Sequence, residues 1–266
     1  MQSLDQGFFE VVNPYNQTTT QVPADPEKIH SIVFWSKDFG PFLRHGYDRA
    51  LLDRGYKLFF NFSINSPDAR LEPNLPDLST RLDQLACLAQ RFGGDCIQWR
   101  FDPICVYRES GGAVRDNLAQ LAQIARAAAS SQVSICITSF VDLYRKVLRR
   151  TARQPGLQFV DPPLDEKIAR IHRMWQILEP LDVNLHLCCE KELLAALPDG
   201  GSHGPAACIP GHRLVERYGP GISLQKDPGQ RTSAGCGCTL SKDIGSYALH
   251  PCRHNCLYCY ANPSDF

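Results

Sequence analysis

Short apolar runs rich in β-branched and aromatic residues alternate with longer stretches of helical spacing, and this alternation limits the fold more than any other feature. Residues 31–37 (SIVFWSK), 57–64 (KLFFNFSI), 96–101 (CIQWRF), 133–140 and 183–188 (VNLHLC) read as strands. Between them, residues 41–54, 78–92, 114–130, 144–152, 165–178 and 191–196 read as helices, with a further turn over 213–218. Residues 78–92 carry the clearest spacing, at Leu82, Leu85, Leu88 and Ala89. Repeated β–α units of this length predict an α/β fold with a parallel sheet. The sheet is either a full or partial (β/α) barrel or an open doubly wound one.

No sequence repeat of fixed period accompanies the pattern. Residues 1–30 read as an N-terminal extension, 31–200 as the β/α units and 231–266 as a loop at the carboxyl end of one domain (1–266). Gly- and Pro-rich stretches at 197–210 and 219–237 precede that loop, and the tail beyond them is too short for a core of its own. The net charge is zero, which gives nucleic acid no global attraction. Arg213, Arg231, Lys242, Arg253 and His254 leave only a mild local basic character, which usually marks a solvated face. The opening MQSLDQGFFEVV has neither a basic start nor a long apolar core, and no apolar run is long enough to span a membrane. A cytoplasmic protein is the expectation.

In parallel α/β folds, chemistry gathers where strands end. Those positions hold Lys37, Ser63, Arg100, Asp102, Ser139, Asp142 and Glu190. Singly, each could be a salt bridge or a helix cap; their convergence on one rim makes them candidates. Lys37, Arg100, Asp102 and Glu190 are the catalytic candidates, placed to hold polar groups of a substrate or cofactor.

Twelve cysteines are many for an intracellular chain, where disulfides are rare and dense cysteine more often means metal or redox chemistry. Cys87, Cys96, Cys105, Cys136, Cys188, Cys189 and Cys208 are scattered, and a lone one such as Cys136 in VSICITSF reads as a small buried hydrophobe. Cys236, Cys238, Cys252, Cys256 and Cys259 crowd one polar segment. Cys252, Cys256 and Cys259 form a C-x3-C-x2-C run, able to give three thiolates to three corners of a [4Fe–4S] cluster and leave the fourth iron for a small molecule. Zinc is the competing reading, with Cys236, Cys238 and two of the later cysteines, or His250 and His254, as ligands. Cys236–Gly237–Cys238 is tighter than a typical zinc knuckle, which favours iron–sulfur. Cys236 and Cys238 remain additional metal candidates. They could build a second cluster with Cys188, Cys189 or Cys208, act as a redox pair, or supply a fourth ligand that closes the main cluster. A cysteine nucleophile at Cys188–Cys189 beside His186 and Glu190 has no acid or oxyanion hole assigned to it.

The cysteine run, with Tyr258 before its last member, resembles the signature of the radical S-adenosylmethionine (SAM) superfamily. The fragments FWSK, LEPNLP, WRFDPI, SFVDLY and CGCTLSKDIGSY…CRHNCLYCYAN resemble, over nearly the whole chain, a bacterial family known only as a domain of unknown function with such a carboxyl-terminal cluster. The C-x-Y-C-Y ending is similar to the spore-photoproduct-lyase-like branch of the superfamily. The resemblance implies a [4Fe–4S] cluster on Cys252, Cys256 and Cys259, SAM bound at the open iron, an external electron donor and no defined substrate. Asp243, Tyr247 and Tyr258 would shape the cofactor loop. It also implies a radical-SAM-like barrel in permuted order, since the cysteine loop ordinarily follows the first strand. The Gly-Gly-Glu element expected for SAM is not evident: Gly93–Gly94–Asp95 sits before a strand, at the wrong end, and reads as a helix stop. Family members also usually begin with one more strand, so this chain is expected either to start late or to have a shorter sheet. The alternative function is a closed iron–sulfur or zinc site stabilising a binding module, with nucleic acid as a conceivable partner.

Overall fold

The computed structural model describes residues 2–13, 16–198, 201, 203–246, 250–259 and 261. A short helix α1 (Gln2–Gln6) leads into an antiparallel hairpin, β1 (Phe8–Val12) and β2 (Thr19–Pro23). Then follow β3 (Ile32–Ser36), helices α2 (Gly40–Arg44) and α3 (Tyr47–Leu52), β4 (Leu58–Ser63), α4 (Leu78–Phe92) and β5 (Ile97–Arg100). Next come β6 (Val106–Glu109), β7 (Val114–Asp116), α5 (Leu121–Ser130), β8 (Ile135–Thr138), α6 (Arg145–Thr151) and β9 (Leu157–Phe159). The chain continues through α7 (Leu164–Leu178), β10 (Asn184–Leu187), α8 (Lys191–Ala196), β11 (His203–Pro205) and α9 (Gly211–Tyr218). No described helix is long and apolar enough to cross a membrane.

Six strands form one parallel sheet in the order β11-β10-β8-β5-β4-β3. The order follows the chain without reversal, so the doubly wound alternative is excluded. Right-handed crossovers then put the connecting helices on a single side. Accordingly α2, α4, α5, α7 and α8 pack as successive neighbours. The expected parallel sheet is present; among the described residues no ladder joins its end strands β3 and β11, so closure into a barrel is not shown.

β4 explains why the sheet sits where it does. All six of its residues (LFFNFS) are buried, as a central parallel strand covered on both faces requires. Leu58, Phe60 and Phe62 join Ile97, Trp99, Cys136, Leu185 and Leu187 in the core under the helices, against Leu85, Leu88, Ile124, Ala125, Ile171 and Met174. Alternation sends Phe59, Asn61, Gln98 and Ile137 the other way. There the segment 206–218 covers them. Asn61 Nδ2 donates to the Cys208 carbonyl at 2.8 Å, Gln98 Nε2 to the Ala207 carbonyl at 3.3 Å, and the Arg213 guanidinium lies over the Phe59 ring. Ala206 packs on Ile135 and Ile137.

Helix α4 has the predicted bounds. Asp77 accepts from the Thr80 amide at its start, and Gly93, at φ 90°, ends it. Two predicted helices are corrected. Residues 114–130 are helical only over α5. Val114–Asp116 instead pairs with β6, because Gly112 (φ 81°) and the Glu109–Ala113 bond close a hairpin ahead of the alanine-rich helix. The helix predicted over 41–54 is split into α2 and α3 by Gly46, at φ 66°. The small antiparallel sheet β7-β6-β9, the hairpin β1–β2 and the strand β11 are additions to the predicted elements.

A Cβ at Gly46 would meet nothing within 4 Å, so Gly46→Ala should cost only its conformational penalty, about 1 kcal/mol. Leu85→Ala, in the fully buried core, should cost about 3 kcal/mol. Equilibrium urea denaturation of both variants checks the ranking, and equal losses would contradict this account of the core.

Candidate functional site

Parallel strands all end at one edge, so the residues that follow them meet there. Lys37 follows β3, Asn65 follows β4, Asp102 follows β5, Ser139 follows β8 and Glu190 follows β10. At the centre is Glu72, a buried carboxylate in the β4–α4 connection. Lys37 Nζ donates to its Oε1 at 3.0 Å, Asn65 Nδ2 donates to the same oxygen at 3.3 Å, and Arg81 Nη1 lies 3.5 Å from Oε2. The Tyr258 hydroxyl donates to Oε1 as well, and the Lys37 ammonium stands 5.3 Å from the centroid of the Tyr258 ring. Lys37 and Asn65 both reach the Asp102 carbonyl, at 3.4 and 3.2 Å.

Burial alone would push the Glu72 carboxyl up, but Lys37, Tyr258 and Arg81 together hold it below its ordinary value. Burial likewise works against the Lys37 ammonium, and the Glu72 and Cys256 charges hold its pKa above the usual lysine value. Tyr258 is pushed well above ordinary phenols by burial and by the adjacent Glu72.

The carboxyl-terminal cysteine loop docks on this network. Cys256, Leu257 and Tyr258 are buried in a second apolar cluster with Leu71 of the β4–α4 connection, Cys105 and Tyr107 at β6, Val147 of α6 and Phe159 of β9. The Leu257 amide donates to the Leu71 carbonyl at 2.9 Å, Arg150 Nη1 to the Cys256 carbonyl at 3.0 Å, and Asn74 Nδ2 to the Arg253 carbonyl at 2.9 Å. Burial pushes the Cys256 thiol up to about 12, opposed by Lys37 and reinforced by Glu72, Cys259 and Cys252. Burial also raises Cys259. Among the described residues, no three His, Cys, Asp or Glu side chains stand in an arrangement that could hold a metal ion. The donors are of the soft kind: three cysteines lie on one anchored loop beside the half-buried Lys37 ammonium.

Other predicted residues lie elsewhere or serve other partners. Arg100 is buried and pairs with the Asp102 carboxylate, whose other oxygen accepts from Ser139 Oγ at 2.5 Å. Burial opposes the Arg100 charge, but Asp102, Cys208 and Cys188 more than offset it. Glu190 precedes α8 and accepts from the Phe140 amide at 2.8 Å, while burial lifts its pKa. Asp243 is exposed and accepts from the Gly245 amide within its own turn. Tyr247 lies outside the described residues. Cys236 and Cys238 do not join the terminal loop; they pack with Cys208, Cys188 and Cys189. Arg213 donates to the Asp95 carbonyl and Arg231 pairs with Asp142 at 2.7 Å, so these two members of the basic set are locally engaged. Glu72, Asn65, Arg81 and Arg150 were not singled out from the sequence. Only Glu72 carried a signal, as a lone acid between Leu71 and Pro73 in a loop following a strand.

The family described as a domain of unknown function, DUF1848, matches residues 1–261. The chain belongs to that family. No curated protein matches it. The DUF1848 fold thus presents a buried ionic network with the cysteine loop on top, and removing the anion should do more damage than removing its phenol donor. Glu72→Gln leaves Lys37 and Arg81 without their carboxylate and should cost about 3–5 kcal/mol. Tyr258→Phe should cost about 1–3 kcal/mol. Chemical denaturation measures both, and a smaller loss for Glu72→Gln would contradict this charge arrangement.

Proposed function

We propose that this protein is a radical SAM-type iron–sulfur enzyme whose [4Fe–4S] cluster is held by Cys252, Cys256 and Cys259. One observation carries the reading: the C-x3-C-x2-C loop is anchored by buried Leu257 and Tyr258 at the carboxyl rim of a singly wound parallel sheet, beside Lys37. In such folds the strand ends are where ligands are held. When bound, the cluster would pass one electron from an external donor to SAM, yielding methionine and a 5′-deoxyadenosyl radical.

The chain's own residues prepare this place. With a cluster bound, Lys37 would offset thiolate charge at Cys256, and Glu72 with the Asp102 carbonyl fixes the ammonium. Leu71, Tyr107, Val147 and Phe159 wall the loop and keep water from its inner side. Asp102 and Ser139, less deeply buried, offer polar groups to an incoming ligand. A permuted radical-SAM-like partial barrel accounts for the loop closing the chain, because the rim is reached equally well from either end of the sequence. A reducing cytoplasm would keep the twelve cysteines, none of them in a disulfide, in thiol form.

Protein purified without oxygen should contain iron and acid-labile sulfide, and Cys256→Ser should lose about four irons per chain. Unchanged iron in that variant would refute the ligand assignment. Reduction in the presence of SAM should release 5′-deoxyadenosine. An intact, reduced cluster that yields none would end the radical reading while leaving the iron–sulfur assignment standing.

A further inference from the structure

Far from the terminal loop in sequence, a second group of cysteines collects at the end of β10. Cys188 and Cys189 leave the strand directly, Cys208 arrives on the segment that covers the open face of the sheet, and Cys236 and Cys238 arrive on the next loop. Cys208, Cys236 and Cys238 are buried, and Cys188 and Cys189 pack against them. We propose that Cys188, Cys208, Cys236 and Cys238 form a second, thiolate-ligated centre for a soft metal, distinct from the one assigned to Cys252, Cys256 and Cys259.

Buried cysteines are ordinarily small hydrophobes, as Cys136 is under the helices. This group differs in its charge and in its backbone. Arg100 points Nη1 at Cys208 Sγ from 2.6 Å, inside the protein, with Asp102 as its only carboxylate partner among the described residues. Its Nε is buried without a partner. A buried guanidinium calls for anions, and the sulfurs around it are the groups able to supply more. The amides of Cys208 and Ile209 both donate to Cys238 Sγ, at 3.2 and 3.4 Å, an arrangement that favours a thiolate there.

The backbone is bent to bring these thiols together. Cys189 sits in the left-handed region at φ 59°, which costs a residue with a Cβ on the order of 1 kcal/mol. The Cys236–Gly237–Cys238 turn lies so close to the covering segment that a Cβ at Gly237 would stand 2.8 Å from the Ala206 carbonyl oxygen. Only glycine admits the Gly237 amide's bond to that oxygen, at 3.1 Å, which seats the two flanking cysteines.

One sulfur pair of the proposed four stands at a distance two ligands of one metal can keep. Cys188 and Cys208 are 3.9 Å apart, as are Cys188 and Cys189. A disulfide needs about 2.05 Å. Two thiolates on one tetrahedral metal, at about 2.3 Å each, stand about 3.8 Å apart. The sulfurs are neighbours and not a finished coordination sphere, so closure around a metal asks for side-chain rotation, with Cys189 left as a spare thiol. Four thiolates without a hard oxygen ligand select zinc, iron or an iron–sulfur unit over magnesium or calcium.

The test compares the wild type, Cys256→Ser and the double variant Cys208→Ser/Cys238→Ser, each reconstituted anaerobically with Fe2+ and sulfide or with Zn2+. Metal and sulfide per chain are then measured. The double variant should lose metal that Cys256→Ser retains; zinc alone or iron with sulfide both support the site and identify its occupant. Wild-type metal content in the double variant would overturn it. Should that variant not fold, N-ethylmaleimide labelling of the loaded wild type decides. Cys188, Cys208, Cys236 and Cys238 should resist labelling as a set and become reactive together once the metal is chelated. Labelling of all four at unchanged metal content would overturn the proposal. Failure of the terminal-loop assignment is read separately, from Cys256→Ser alone.

Discussion

A carboxylate buried between two cations is the interaction on which the rest of the rim depends. Glu72 meets Lys37, from the strand at one edge of the sheet, and Arg81, from the first turns of α4. Left unpaired, any of the three would carry a desolvation cost of several kcal/mol, so they must come in together or not at all. Their assembly fixes the β4–α4 connection and with it the Leu71 carbonyl that receives the Leu257 amide. Tyr258 then caps the same carboxylate. The cysteine loop is therefore positioned through an ionic network rather than through a strand, which is how a segment without secondary structure is held at a defined place.

The helices near this network serve two purposes. α4 buries Leu78, Leu85, Leu88 and Phe92 against the sheet, yet Arg81 and Gln84 are also buried on it. Gln84 accepts from the Phe39 amide at 2.8 Å and donates to Asp38 at 2.7 Å. The polar positions lie in the first half of the helix, which starts at the carboxyl ends of the strands. Apolar packing dominates farther from the rim.

Periodicity made the main sheet legible because a buried strand such as KLFFNFSI has to be apolar on both faces, and the sequence carries that requirement openly. The rim positions after β3, β5, β8 and β10 followed from the same reading. The sequence hid elements whose stability comes from distant partners. β6, β7 and β9 are short, and they become strands only by pairing, Tyr107 with Phe159, Glu109 with Leu157 and Val106 with Asp116. Val114–Asp116 adjoins a strong helix former and was absorbed into it. Cys188, Cys189 and Cys208 were open from the sequence as partners of Cys236 and Cys238, but their meeting needs the long-range bonds that fold the segment 206–240 back onto the sheet. Their spacing carries no record of those bonds.

Those long-range bonds also cover the face of the sheet opposite the helices. Asn61, Gln98 and Arg100 project polar groups from the face opposite the helices, where an apolar barrel interior would leave them costly. The segment 206–218 meets them with backbone carbonyls, a bonding capacity that added strands would keep for each other. It covers this face with its own chain and brings Cys208 to Arg100. Asp102 then stands between two sulfur-rich regions, its carboxylate holding Arg100 beside Cys208 and its carbonyl receiving Lys37, the cation beside Cys256. Each group of thiols faces its own buried cation, and one residue at the end of β5 sets the position of both.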